Sequence, residues 1–262
     1  MVKNRIQQRT APAAGRLLHG LLCAFLMLSF CGGRCLFKSD PEGAPVERDW
    51  EGLREKMVRQ QIEARGVKDE RVLDAMRKVE RHLFVPEKKR DEAYADYPLP
   101  IGKGQTISQP YIVAVMSEAM QLKGKERCLE VGTGSGYQAA VLSLLCKELH
   151  TVEIVPELAE TARVLLKKLG YKNVTVYSGD GYDGIPEKAP FDAVMITAAP
   201  EKVPQPLKEQ MKTGGRLVLP LGKRFQDLVR IVRTGKEEWK EEEVLPSVIF
   251  VPMTGKIQEE AE

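Results

Sequence analysis

Histidine is scarce in this chain: His19, His82 and His150 are scattered singly through 262 residues, and no metal site is read from them. Cysteine is equally unhelpful. Cys23, Cys31 and Cys35 crowd the N-terminal segment and only Cys128 and Cys146 lie beyond it, which is no disulfide framework. The last two read as small buried hydrophobes. An excess of one charge is missing as well. The net charge of +3 comes from residues 1–38, where Lys3, Arg5, Arg9, Arg16, Arg34 and Lys38 face no acid. The remainder holds 34 basic against 37 acidic side chains, so it carries no electrostatic footprint for nucleic acid. There is no internal repeat. The longest mainly apolar run, Leu17 to Phe30, is interrupted by His19 and Gly20 and is too short and broken for a membrane span.

What is present is the material of an ordinary α/β protein, 43% hydrophobic and 29% charged. Residues 1–38 form a basic and hydrophobic leader with the shape of a signal peptide or an unstructured start. Leu28-Ser29-Phe30-Cys31 loosely resembles a lipoprotein cleavage box, with Phe30 a poor fit. Residues 39–49 read as linker, and 50–262 as a single domain. Apolar spacing predicts helices over Trp50–Arg65 and Asp69–Val79, with Asp69 as an N-cap. A turn-rich loop from Tyr97 to Pro110 follows, and Pro110 suits the first turn of a helix to about Leu122. A structureless stretch of that length inside a domain is usually functional.

From there strand and helix alternate. Strands are expected to Val131 and over 149–153, 174–178, 191–197 and 216–219, with helices over 137–147, 157–169 and 203–211 between them. The pattern predicts a doubly wound, mostly parallel seven-stranded sheet. Strands 228–233 and 244–251 close it as an antiparallel hairpin, and the charged run Lys236–Glu243 reads as solvated loop.

The most informative stretch is Glu130-Val131-Gly132-Thr133-Gly134-Ser135-Gly136-Tyr137. Glycines after a strand let the backbone turn sharply and approach a ligand, and the following helix presents free N–H groups. A dinucleotide fingerprint counted from Gly132 needs a glycine at 137, where Tyr137 stands. The acidic-x-Gly-x-Gly-x-Gly pattern instead resembles motif I of S-adenosylmethionine (SAM) methyltransferases. Glu153 closes the next strand, about twenty residues after Gly132, where a carboxylate can accept both ribose hydroxyls. Asp180, in Gly179-Asp180-Gly181 after the third strand, is placed to read an adenine edge with the neighbouring N–H.

With these residues the chain resembles the protein-L-isoaspartate O-methyltransferases. The resemblance is carried by Pro100–Tyr111 (Pro-Ile-Gly-Lys-Gly-Gln-Thr-Ile-Ser-Gln-Pro-Tyr), Leu129–Gln138, Gly179–Gly181, Ala189–Ala193, Gly214–Val218 and Phe250–Met253. It spans nearly all of Trp50 to Lys256. It implies a Rossmann-like fold with an N-terminal helical extension, SAM as cofactor, and isoaspartyl proteins and peptides as partners. The catalytic serine falls on Ser108, with Thr106 and Ile107 lining the pocket. Glu130, Gly132, Thr133, Gly134, Ser135, Gly136, Glu153, Asp180 and Gly181 complete the cofactor site. Read without the resemblance, Ser108 caps the helix that Pro110 opens. The alternatives are a SAM methyltransferase acting on RNA or a small molecule, or a non-catalytic SAM-binding module. A monomer in the cytoplasm is expected, with export or tethering through residues 1–35 as the other reading.

Overall fold

The computed structural model describes residues 48–259, so the leader and nearly all of the linker expected before Trp50 lie outside the described residues. Asp49 caps the first helix, α1 (Trp50–Met57), by accepting the N–H of Gly52 at 2.7 Å. That helix runs on through a π-helical stretch (Val58–Ile62) and a 3₁₀ turn (Glu63–Arg65), matching the single helical span expected to Arg65. Asp69 caps α2 (Glu70–Lys78) as its position predicts, accepting from the N–H of Arg71 at 2.9 Å. Val72, Leu73 and Met76 form its buried stripe. Burial of each such side chain contributes about 1.5–3 kcal/mol.

The turn-rich loop departs from expectation. Leu99–Gly102 (β1) and Gln105–Ile107 (β2) pair as a small antiparallel hairpin, with Gly102, Lys103 and Gly104 reversing the chain. Only Ser108 and Gln109 separate β2 from α3 (Pro110–Ala119).

The main sheet begins with β3 (Arg127–Val131), followed by α4 (Tyr137–Ser143), β4 (Glu148–Glu153), α5 (Pro156–Lys168) and β5 (Val174–Ser178). The chain continues through β6 (Phe191–Ile196), α6 (Gln205–Glu209), β7 (Met211–Leu221), β8 (Gln226–Arg233), β9 (Trp239–Val248) and a last turn, α7 (Lys256–Glu259). The strand order is β5-β4-β3-β6-β7-β8-β9, parallel through β7 and antiparallel for the final hairpin. Alternate residues of the central strands enter opposite apolar clusters: Cys128, Ala193, Met195 and Val218 on one face, Leu129, Val194, Ile196 and Leu217 on the other. Both faces are covered, as a parallel sheet requires.

The charged run is not loop throughout. β9 starts at Trp239, which pairs with Arg233 and lies under the cations of Lys208 and Arg233. Glu242 is held by Arg230 from the neighbouring strand. Cross-strand charge pairs turn a sequence that looks solvated into an edge strand. Chain flow from β3 goes one way to β4 and β5, while β6 and β7 lie on the other side. This leaves a crevice at the carboxyl ends of β3 and β6, where open α/β sheets bind ligands.

Candidate active site

The glycine turn after β3 fills that crevice. Gly132 takes φ +98°, and a Cβ there would come within 2.3 Å of Thr197 Oγ1, so the close approach of the turn to β6 admits no side chain. Thr197 fastens this contact by donating its hydroxyl to the carbonyl of Gly132 at 2.7 Å. Gly134 is different. It takes φ +52°, and the nearest atom to a Cβ would be Ile101 Cδ1 at 3.5 Å, so the constraint there is the backbone and the space is left to the cleft.

The cleft is lined by Thr106, Ile107, Ser108, Gly132, Thr133, Gly134, Ser135, Glu153 and Gly181, with Val131, Val152 and Ile154 as apolar wall. Nine residues expected from the sequence are thus brought together from four separate segments. Gly136 is spent on the start of α4, where it packs against Ala162 and Leu166. Glu153 is 5% exposed. Its Oε2 accepts the N–H of Gly134 at 2.8 Å and its Oε1 that of Val155 at 3.0 Å, so the carboxylate is aligned before any ligand arrives.

Two acidic residues sit elsewhere than the motif suggests. The Asp180 carboxylate is turned away from the cleft lining: one oxygen accepts the N–H of Tyr182 at 2.9 Å, the other that of Lys256 at 2.8 Å. Glu130 lies wholly buried within β3, behind the turn and outside the lining. Its Oε2 accepts from Thr151 Oγ1 at 2.6 Å, and that hydroxyl is 2.7 Å from Thr133 Oγ1. Oε1 has no hydrogen-bond partner among the described residues. Burial pushes the Glu130 carboxyl up to about 8; the bond from Thr151 opposes the rise and the nearby Glu153 adds to it.

Ser108 does not cap α3. The cap position belongs to Gln109, which makes no side-chain bond, and the Ser108 hydroxyl has no partner among the described residues. The hydroxyl is therefore available to a ligand. Ser108 also lines a second groove, bounded by Arg65, Tyr111 and the stretch from Leu245 to Pro252. Thr106, Ser108, Thr197, Val251 and Pro252 belong to both clefts and form the wall where they meet. Thr197 escaped the sequence reading although it follows β6 directly, where the strand-end rule could have found it. Val251 and Pro252 reach the site only because a parallel bridge between Ala199 and Pro252 folds the C-terminal segment back over β6.

With this geometry in hand, likeness to other proteins is specific. The family model for protein-L-isoaspartate(D-aspartate) O-methyltransferase matches residues 52–258. Protein-L-isoaspartate O-methyltransferase 2 of Shewanella sediminis is 57% identical over 206 residues, covering 77% of this chain and 83% of its own. The Myxococcus xanthus enzyme is 57% identical over 194 residues, 73% of this chain and 92% of its own. A solved protein-L-isoaspartate O-methyltransferase superposes with a TM-score of 0.70 at 28% identity, covering 78% of this chain and 67% of that one. A second, a putative protein-L-isoaspartate O-methyltransferase from Plasmodium falciparum in complex with S-adenosyl-L-homocysteine, shares the fold at 23% identity and a TM-score of 0.67, covering 77% and 98%. The chain belongs to the protein-L-isoaspartate O-methyltransferase family.

Proposed function

We propose that this chain transfers the methyl group of SAM to the free α-carboxylate of L-isoaspartyl residues in proteins and peptides, with Ser108 orienting the acceptor. One observation carries the reading: two clefts meet at a wall that bears an unpartnered serine hydroxyl, so a donor in one and an acceptor in the other face each other across Ser108. The first cleft suits SAM. It offers an aligned carboxylate at Glu153, the open space beside Gly134 and an apolar wall.

When bound, SAM supplies an electrophilic methyl on a sulfonium. The residues of this chain supply placement. Glu153 is set to accept ribose hydroxyls, and the Ser108 hydroxyl is set to donate to one acceptor oxygen. The nucleophile is itself a carboxylate, ionised at neutral pH, so no side chain needs to remove a proton. Alignment and exclusion of water then carry the acceleration. Esterification makes the α-carboxyl carbon open to attack by the following backbone nitrogen, which closes a succinimide as the ester C–O bond breaks and methanol leaves with the amide proton, and so starts repair. We keep the monomer and the cytoplasm as the proposed state and place, the second because SAM is needed. Among the described residues no helix is long and apolar enough to cross a membrane.

The experiment is incubation with methyl-labelled SAM and two peptides differing only in one residue, L-isoaspartate or L-aspartate. Label is expected on the first alone, because only the isomer presents a free α-carboxylate. Equal labelling of both, or of neither, would overturn the reading.

A further inference from the structure

Arg81 is the largest fully buried side chain in the described part of the protein, and nothing in the methyl-transfer chemistry calls for it. It sits in a 3₁₀ turn (Arg81–Phe84) after α2. Its Nε donates to the carbonyl of Ala93 at 2.7 Å, and its Nη2 donates to the carbonyl of Ser108 at 2.7 Å. The guanidinium carbon lies 4.8 Å from the centre of the Tyr137 ring, in the first turn of α4 directly after the glycine turn. One side chain therefore touches the helical layer, the acceptor serine and the helix that follows motif I.

Burying a guanidinium is costly unless its donors are used, and here Nη1 has no partner among the described residues. Burial pulls its pKa down to about 10, which leaves it charged at neutral pH. A Leu or Met would fill the space with less penalty, so packing alone does not account for the residue. The two-residue link Ser108–Gln109 does account for it. Among the described residues, no other side chain bonds to the backbone of that link; its remaining bond runs from the N–H of Val113 to the carbonyl of Gln109. The far end of the fork is anchored in turn. Ala93 precedes Tyr94, whose hydroxyl lies 2.8 Å from His82 Nδ1, and Trp50 stacks on His82 with ring centres 4.4 Å apart. A planar fork can hold two carbonyls on separate segments in one geometry, which a lysine cannot do.

We propose that Arg81 is a positioning residue for methyl transfer: its guanidinium holds the Ser108 backbone in register with the helical layer and α4, and so aims the Ser108 hydroxyl at the acceptor groove. The proposal rests on the reading of Ser108 given above. Its consequence is coupling. Removing the fork should cost turnover only while there is a Ser108 hydroxyl to aim.

The test is a double-mutant cycle of Arg81→Lys and Ser108→Ala, with kcat and KM for an isoaspartyl peptide counted per SAM-binding site titrated by calorimetry. Counting by sites removes any unfolded fraction, and Arg81→Met provides the same cycle if the lysine variant is poorly produced. Arg81→Lys is expected to lower kcat/KM by about tenfold, in line with the cost of a displaced reacting group, while the SAM Kd stays within about twofold. The double variant should be no worse than Ser108→Ala alone, to within about threefold. Losses that multiply, wild-type turnover in Arg81→Lys, or a SAM Kd that rises in step with the loss would each overturn the positioning role while leaving Ser108 its function. An inert Ser108→Ala would instead remove the reading on which the proposal stands, and the proposal with it.

Discussion

Glu153 Oε2 accepts the backbone N–H of Gly134 at 2.8 Å, so the last residue of β4 and the middle glycine of the turn after β3 are joined directly. The second carboxylate oxygen takes the N–H of Val155 at the entrance to α5. A ligand that uses Glu153 meets a group whose rotamer is already set, and it meets it beside a residue whose missing side chain leaves room.

Gly134→Val should abolish SAM binding while leaving the fold intact. A β-branched residue at φ +52° is strained, by about 1–2 kcal/mol, and its methyl groups would occupy the open cleft. Calorimetry should show the SAM Kd weakened by about a hundredfold or more, with circular dichroism unchanged. An unaltered Kd in a folded variant would move the cofactor to another place.

Ser108→Ala should lower kcat for the isoaspartyl peptide by about one to three orders of magnitude, the cost of one positioned donor in a transition state. SAM affinity should change little, because the contact matters to the acceptor. Since Ser108 does not cap α3, thermal stability should also hold to within about 0.5 kcal/mol. Full turnover would leave the serine without a catalytic role.

Glu130→Gln should change the pH dependence of stability. The folded chain keeps the Glu130 proton up to about pH 8, whereas the unfolded chain releases it near its ordinary value of about 4.3. Folding therefore takes up a proton between those limits, and wild-type stability falls as pH rises through that window, at up to about 1.4 kcal/mol per pH unit from this group. The glutamine variant lacks that slope. Urea unfolding without SAM should show it gaining on wild type by a few kcal/mol, roughly, between pH 5 and pH 8. Parallel curves would mean that Glu130 ionises in the ordinary range.

A chain that begins at Asp49 should fold and methylate as the full one does. It retains the Asp49 cap of α1 and the stacking of Trp50 on His82. Beginning at Glu51 removes both and should cost about 1–3 kcal/mol of stability, from one cap and one partly buried aromatic contact. Loss of activity in the chain from Asp49 would assign residues 1–48 a structural part.

Much of this protein could be read one residue after another. Alternating apolar runs define the parallel strands, the Asp69 cap and Pro110 mark helix starts, and the three glycines after β3 announce a ligand turn, because propensity, capping and steric freedom are properties of neighbours in the chain. Glu153 was legible too, since strand ends in such a sheet fall in one crevice. The tertiary structure decided the rest. Glu130 looks like a motif acid and is instead buried against Thr151, and Asp180 turns its carboxylate to Tyr182 and Lys256 because the C-terminal segment folds back over it. The charged run became β9 only when Arg230 and Arg233 came alongside. Arg81 belongs to no motif, and only the packing of the segments around it leaves it buried between Ala93 and Ser108. Periodicity and turn chemistry act over a few residues, whereas the environment of a charge is set by whichever segments packing brings around it, and no local pattern records that.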